Sequence, residues 1–142
     1  MSSWSAIREK FSASRAGNAA IEFALVGPAF ILMLCGILAW GGYFWTAHAV
    51  QQVANDAARA AVGGLSQAER ETLVRATVAA EIDDYAYLDA ADAGSTVTNH
   101  PDRTAVAVSY DASQTVFFAL RHIVPMPSPV IVRQASVRHG GY

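Results

Sequence analysis

Residues 23–45 read FALVGPAFILMLCGILAWGGYFW, 23 consecutive positions without a charged side chain. As an α-helix rising about 1.5 Å per residue the stretch spans ~34 Å, enough to cross the ~30 Å hydrocarbon layer of a bilayer. Trp40, Tyr43, Phe44 and Trp45 gather at its C-terminal end. Amphipathic rings favour that position because it is level with the lipid headgroups. A cleavable secretory signal has an apolar core of only ~7 to 15 residues, so the run is too long to be one.

The flanks set an expected orientation. Ahead of the run lies MSSWSAIREKFSASRAG, with Arg8, Lys10 and Arg15 against Glu9. Lys and Arg are retained on the cytoplasmic side, so the N-terminus is expected inside and residues 46–142 outside. Of the ten basic and twelve acidic residues in the chain, seven and ten follow residue 45, a net charge of −3 for that part. An acidic exported segment without a basic patch gives no sign of a nucleic-acid partner. Cys35 is the chain's single cysteine, so no disulfide can form within it, and mid-span it reads as a small apolar filler.

One charge lies at the cytoplasmic edge of this run. Glu22 directly precedes Phe23, where a carboxylate is costly near lipid but can reach the headgroups. Snorkelling would account for it. A second account rests on its surroundings: Gly17 lies five residues earlier, basic residues precede the glycine, and an uninterrupted apolar helix follows.

Gly17, then NAAI, then Glu22-Phe23 and ALVGPAFILML resembles the class III signal peptide of type IV pilins and pseudopilins, in particular the TadE-like family of the Tad (tight adherence) system. The likeness continues through NDAARAAV, residues 55–62, and through the C-terminal AVAVSY and PVIVRQASVRHG. Only the G-x4-EF start is specific. Where family members often carry a polar residue late in the helix, this chain has ILAWGGYFW.

The resemblance implies a non-enzymatic structural subunit, a pseudopilin or minor pilin acting in assembly of a Tad/Flp type IVb pilus. It implies cleavage by a prepilin peptidase between Gly17 and Asn18. The helix is then kept, and Glu22 becomes the fifth residue of the mature chain. The other partners implied are Tad pilus subunits, their assembly platform and the membrane, with no cofactor, metal or small-molecule substrate. The expected location is the bacterial cytoplasmic membrane, single-pass, with the subunit entering a surface pilus in one version.

Chemistry gives each of these residues a reason. Glycine at 17 lets a protease approach the backbone closely. Cleavage would create an α-amino group on Asn18, with an ordinary pKa of about 7.7 to 8.0 and therefore largely cationic at neutral pH. In a bundle, that amine on one subunit can meet Glu22 on the next, a pairing that makes two poorly solvated charges tolerable.

The chain is accordingly read as a leader over 1–17, a transmembrane segment over 18–45 and an extracytoplasmic pilin-like α+β domain over 46–142. One helix is expected from about Asn18 to Val62, since Ala and Val recur at helical spacing through Ala61 and Gly63-Gly64 stop it. Pro28 should bend or locally unwind it. A second helix starts at Ser66, with Glu69 at capping-box spacing, and runs to about Asp84. Its buried stripe is Val74, Val78, Ile82 and Tyr85, with Glu71 and Arg75 placed to pair.

STVTN and TAVAVSY read as strands around the turn HPDR, and PVIVRQASVR as a third, giving a roughly three-stranded antiparallel sheet. The apolar QTVFFALRHIVPMPSP between the last two is read as a lid over the sheet, or alternatively as an exposed partner-binding patch.

No catalytic constellation is visible. His48, His100, His122 and His139 are scattered, and Glu81, Asp83, Asp84, Asp89 and Asp92 lack the order of a calcium loop, so a solvated helix end is the simpler account. Two other functions stay open: a bitopic membrane protein whose outer domain binds a partner, and an envelope enzyme using the acidic cluster.

Overall fold

The computed structural model describes residues 15–139. A 47-residue helix, α1 (Arg15–Ala61), dominates it and runs ~70 Å at helical rise. Arg15, the first residue described, is already helical, three residues ahead of the expected start. The helical assignment also continues without a break through Pro28, so the local unwinding offered as one possibility does not occur. Unwinding would expose several backbone groups in a stretch built for lipid, where nothing else can satisfy them, whereas proline removes one donor.

Gly63 and Gly64 follow α1, but neither takes the left-handed conformation of a glycine cap. The last turn tightens instead into i→i+3 bonds, with the amides of Val62, Gly63 and Gly64 donating to the carbonyls of Arg59, Ala60 and Ala61 at 3.1–3.2 Å. Gly64 is needed for space. A Cβ there would stand 2.8 Å from the Arg70 amide nitrogen, and Arg70 Nε donates to the Gly64 carbonyl at 2.9 Å.

The second helix, α2 (Gln67–Asp83), starts where the capping box places it. Ser66 Oγ accepts from the Glu69 amide at 3.2 Å. The reciprocal bond differs by one residue: Glu69 Oε2 accepts from the amide of Leu65 at 2.9 Å. Val74, Val78 and Ile82 are buried as the periodicity predicts, while Tyr85 lies just past the helix end and is half-buried. Glu71 does not pair with Arg75; it accepts from Gln67 Nε2 at 2.5 Å, and Gln67 is itself held by β1 at the Val97 carbonyl. An exposed ion pair gains too little to outweigh a position already set by packing.

Three antiparallel strands follow, β1 (Ala93–Asn99), β2 (Arg103–Asp111) and β3 (Val130–Arg138), with β2 in the centre. The register sets Val97 against Val106 and Val106 against Ala135, with Tyr110 opposite Ala93 and Ile131. The turn at 100–103 closes through the His100 amide and the Arg103 carbonyl at 2.8 Å.

Both helices lie on one face of the sheet, α1 across β2 and β3 and α2 along β1. The core is Val50, Val53, Ala54, Ala57 and Ala61 from α1, the α2 stripe, and Val106, Val108, Tyr110 and Ile131 from the sheet. Small alanines on α1 let a helix backbone approach the sheet closely, which is how so short a chain fills its interior. The protein is therefore α+β.

The segment between β2 and β3 is a compact loop whose ends are joined by the Ala112 amide and the Pro129 carbonyl at 2.9 Å. It holds two 3-10 turns, Ala112–Gln114 and Phe118–His122. Phe118 and Val124 point inward, whereas Val116 and Ile123 are exposed, so one loop contains both the covering and the exposed residues foreseen for it. Its contact with α1 was not foreseen. Phe117 packs directly on Gly42.

Candidate processing and assembly site

Gly17 and Asn18 lie in the first turns of α1, with Gly17 partly covered and Asn18 exposed. The leader residues 1–14 lie outside the described residues. Helical geometry places Asn18 and Glu22 one turn apart on a single face, since residues i and i+4 are neighbours on a helix surface. Glu22 is exposed.

Phe23 follows on the next face, 77% exposed. Its ring leans along the helix toward Gly27, where a Cβ would sit 3.6 Å from Phe23 Cε1. A side chain at 27 would thus be in ordinary contact with the ring, so Gly27 leaves Phe23 with open space on one side. Pro28 comes next, also exposed. The five residues singled out from the sequence, Gly17, Asn18, Glu22, Phe23 and Pro28, therefore share one continuous helical segment, on which Asn18, Glu22, Phe23 and Pro28 are exposed.

This exposure extends along α1. The large apolar residues Ile21, Leu25, Ile31, Leu32 and Leu38 are all more than half exposed. In water such a surface would be strongly unfavourable, and in a bilayer it is the expected one. Among the described residues there is one helix long and apolar enough to cross a membrane.

The second half of α1 has a different environment. Thr46, Val50, Val53, Ala57 and Ala61 are fully buried, the last four of them in the core shared with the sheet and α2, and the buried stripe starts at Ala39. Trp40, Tyr43 and Phe44 interlock with ring centroids 5.7–6.1 Å apart. Trp45 meets Tyr85 edge-on at 6.0 Å, which ties the turn after α2 to the aromatic belt.

The acidic group does not converge. Asp83 Oδ1 accepts from the Ala90 amide at 3.2 Å and Asp89 Oδ1, capping the start of the 3-10 turn Ala90–Asp92, from the Ala91 amide at 2.8 Å, so both serve local structure. Burial, and then the nearby charges of Asp56 and Asp84, hold the Glu81 carboxyl above its ordinary range, against the pull of Arg59. No group of three or more His, Cys, Asp or Glu among the described residues is arranged to hold a metal. His139 Nε2 lies 2.8 Å from Thr104 Oγ1 at the far end of the sheet.

Two features escaped sequence reading. One is the seat of Phe117 on Gly42, and the other is Tyr87, the one non-glycine residue among those described with a left-handed backbone, at φ 71°. Neither carries a linear signal, since each depends on a partner distant in the chain or on a turn that no Gly or Asn marks.

No curated protein and no solved structure shows significant similarity to the chain. A family described as TadE-like protein does match, over residues 17–59, which takes in Gly17, Asn18, Glu22, Phe23, Pro28 and nearly all of α1, and so agrees with the resemblance carried by the sequence of that segment.

Proposed function

We propose that this protein is a single-pass pseudopilin-type subunit of a Tad pilus system, a structural component without catalytic activity. Its α1 carries the processing and assembly signals. The observation that supports this reading is the coincidence, within one exposed apolar helix, of Gly17, Glu22 and Phe23 at the family spacing, in the segment that the TadE-like family matches.

On this reading a prepilin peptidase cuts between Gly17 and Asn18 on the cytoplasmic side, and residues 46–142 lie across the membrane. The amine created at Asn18 and the Glu22 carboxylate then supply opposite charges at the end of an apolar bundle. Pairing between subunits fixes the axial register, because a slipped neighbour leaves both charges poorly solvated and unmatched.

The deciding experiment is intact mass of the protein from cells with and without a prepilin peptidase. The expected result is a chain starting at Asn18 only where the peptidase is present. A full-length chain in assembled pili would overturn the reading and favour a bitopic protein with a partner-binding outer domain. Gly17→Leu should leave the uncut precursor in the membrane.

A further inference from the structure

The globular part begins too low on α1 to stand clear of a bilayer. Its coverage of the helix starts at Ala39, which is fully buried, and Phe117 sits on Gly42. Both positions lie inside the uncharged run that ends at Trp45. The part of that run ahead of Ala39, residues 23–38, is 16 residues and spans ~24 Å, less than the ~30 Å of hydrocarbon to be crossed. Sliding the helix until the domain cleared the lipid would draw Glu22 about one turn into the hydrocarbon, where a carboxylate is expensive.

What lies at that level on the domain is apolar. Val116, beside Phe117, is 79% exposed, and Tyr87 is 84% exposed. Together with Gly41, Gly42, Trp45 and Phe117 they line a cleft of about 450 Å³. Tyr87 reaches it from a left-handed backbone conformation, which costs a non-glycine residue of order 1 kcal/mol or more and persists only where the surroundings hold it. At a headgroup boundary, a tyrosine with its ring in the apolar layer and its hydroxyl in the wet layer is in its preferred place.

We infer that the base of the globular domain, the loop around Val116 and Phe117 together with the turn carrying Tyr87, is inserted into the lipid leaflet on its own side of the membrane, with acyl chains filling the cleft beside Trp45. The inference rests on reading α1 as a membrane span but not on the direction of the span. Its consequence is mechanical. The domain is held against the membrane at two places, the helix and the loop, so it keeps a fixed tilt and must leave the lipid when the subunit is extracted into an assembly.

Asp83, Asp84 and Asp89 lie close to Tyr87 in the chain and the exposed Arg121 and His122 close to Phe117, so neither sign of charge dominates this base, the attraction is apolar, and a zwitterionic lipid suffices. The test is depth measurement by spin labelling of the full chain in phosphatidylcholine nanodiscs. In a Cys35→Ala background, single labels are placed by Val116→Cys, Tyr87→Cys, Leu32→Cys and Leu65→Cys. Leu32 lies mid-span, and Leu65, 93% exposed, follows the distal end of α1.

The expected result is a ratio of oxygen to aqueous nickel-complex collision several-fold higher at 116 and 87 than at 65, approaching that at 32. Aqueous values at 116 and 87 with a lipid value at 32 would overturn the inference and leave the span intact. An aqueous value at 32 would overturn the span and the inference with it. Shielding of 116 from both reagents would show a protein surface covering the patch and would equally overturn it.

Discussion

Phe117 and Gly42 are in such close contact that a methyl group cannot be added between them: a Cβ on Gly42 would stand 2.5 Å from Phe117 Cγ and 2.8 Å from its Cβ. The crowding is at the root of the side chain, so a rotation of the ring cannot relieve it. Helix propensity alone favours alanine over glycine by about 1 kcal/mol. Overpacking works against this by ~1 to 3 kcal/mol. Gly42→Ala is therefore expected to destabilise the domain, read as a lower denaturation midpoint in detergent. Adding Phe117→Ala should make the second alanine at 42 nearly harmless, a non-additivity expected only of residues in contact.

Thr46 and Thr104 are both fully buried, and the same substitution should affect them in opposite directions. Among the described residues Thr46 Oγ1 has no hydrogen-bond partner. Thr104 Oγ1 donates to Asn99 Oδ1 at 3.0 Å and lies 2.8 Å from His139 Nε2. An unpaired buried hydroxyl costs about 1 to 3 kcal/mol, and a made bond contributes about 1. Thr46→Val is thus expected to raise the thermal midpoint and Thr104→Val to lower it, measured in one buffer by circular dichroism.

Glu81 should make stability fall with rising pH. Burial, and then Asp56 and Asp84, raise its pKa above the ordinary 4.5, so the folded state holds the proton more tightly than the unfolded chain does. Stability then declines as pH climbs from 4.5 through the raised folded value and is flat beyond it. Asp111 contributes with the opposite sign, since hydrogen bonds from Ser113 lower its pKa and the stability it adds is lost only on acidification below 3.8. Comparison of wild type with Glu81→Gln isolates the first effect. The variant is expected to match wild type near pH 4 and to exceed it at pH 7, and equal curves at both would contradict the assignment.

Glu22 and Asn18 lie one turn apart in the same chain, so the amine expected from cleavage has a partner in its own helix as well as in a neighbour. Subunit pairing predicts that Glu22→Gln keeps membrane insertion but lowers crosslinking to other pilus subunits at matched membrane levels. Pairing within one helix, or snorkelling, predicts unchanged crosslinking. The loss should be smaller than the ~3 to 5 kcal/mol per contact of a fully buried broken pair, because the helix end is wet.

The amino-acid sequence determined the elements by itself. An uncharged run followed by Ala and Val at helical spacing makes α1, Ser66 with Glu69 starts α2, and β-branched alternation either side of HPDR makes the sheet. These signals act over a few residues and need no partner elsewhere. Gly17, Asn18, Glu22 and Phe23 could be singled out for the same reason, since the family resemblance they carry is a linear motif, and the TadE-like family matches over residues 17–59.

Tertiary structure decided which side chains meet. Glu71 turned to Gln67 rather than Arg75 because Gln67 is already held by β1, and exposed pairings differ too little in energy to resist such a bias. Gly64 serves Arg70 instead of a left-handed cap, and Phe117 found Gly42 across 75 positions of chain. Close packing selects these contacts, because the space left at Gly42 or Gly64 exists only after the helices and the sheet have come together.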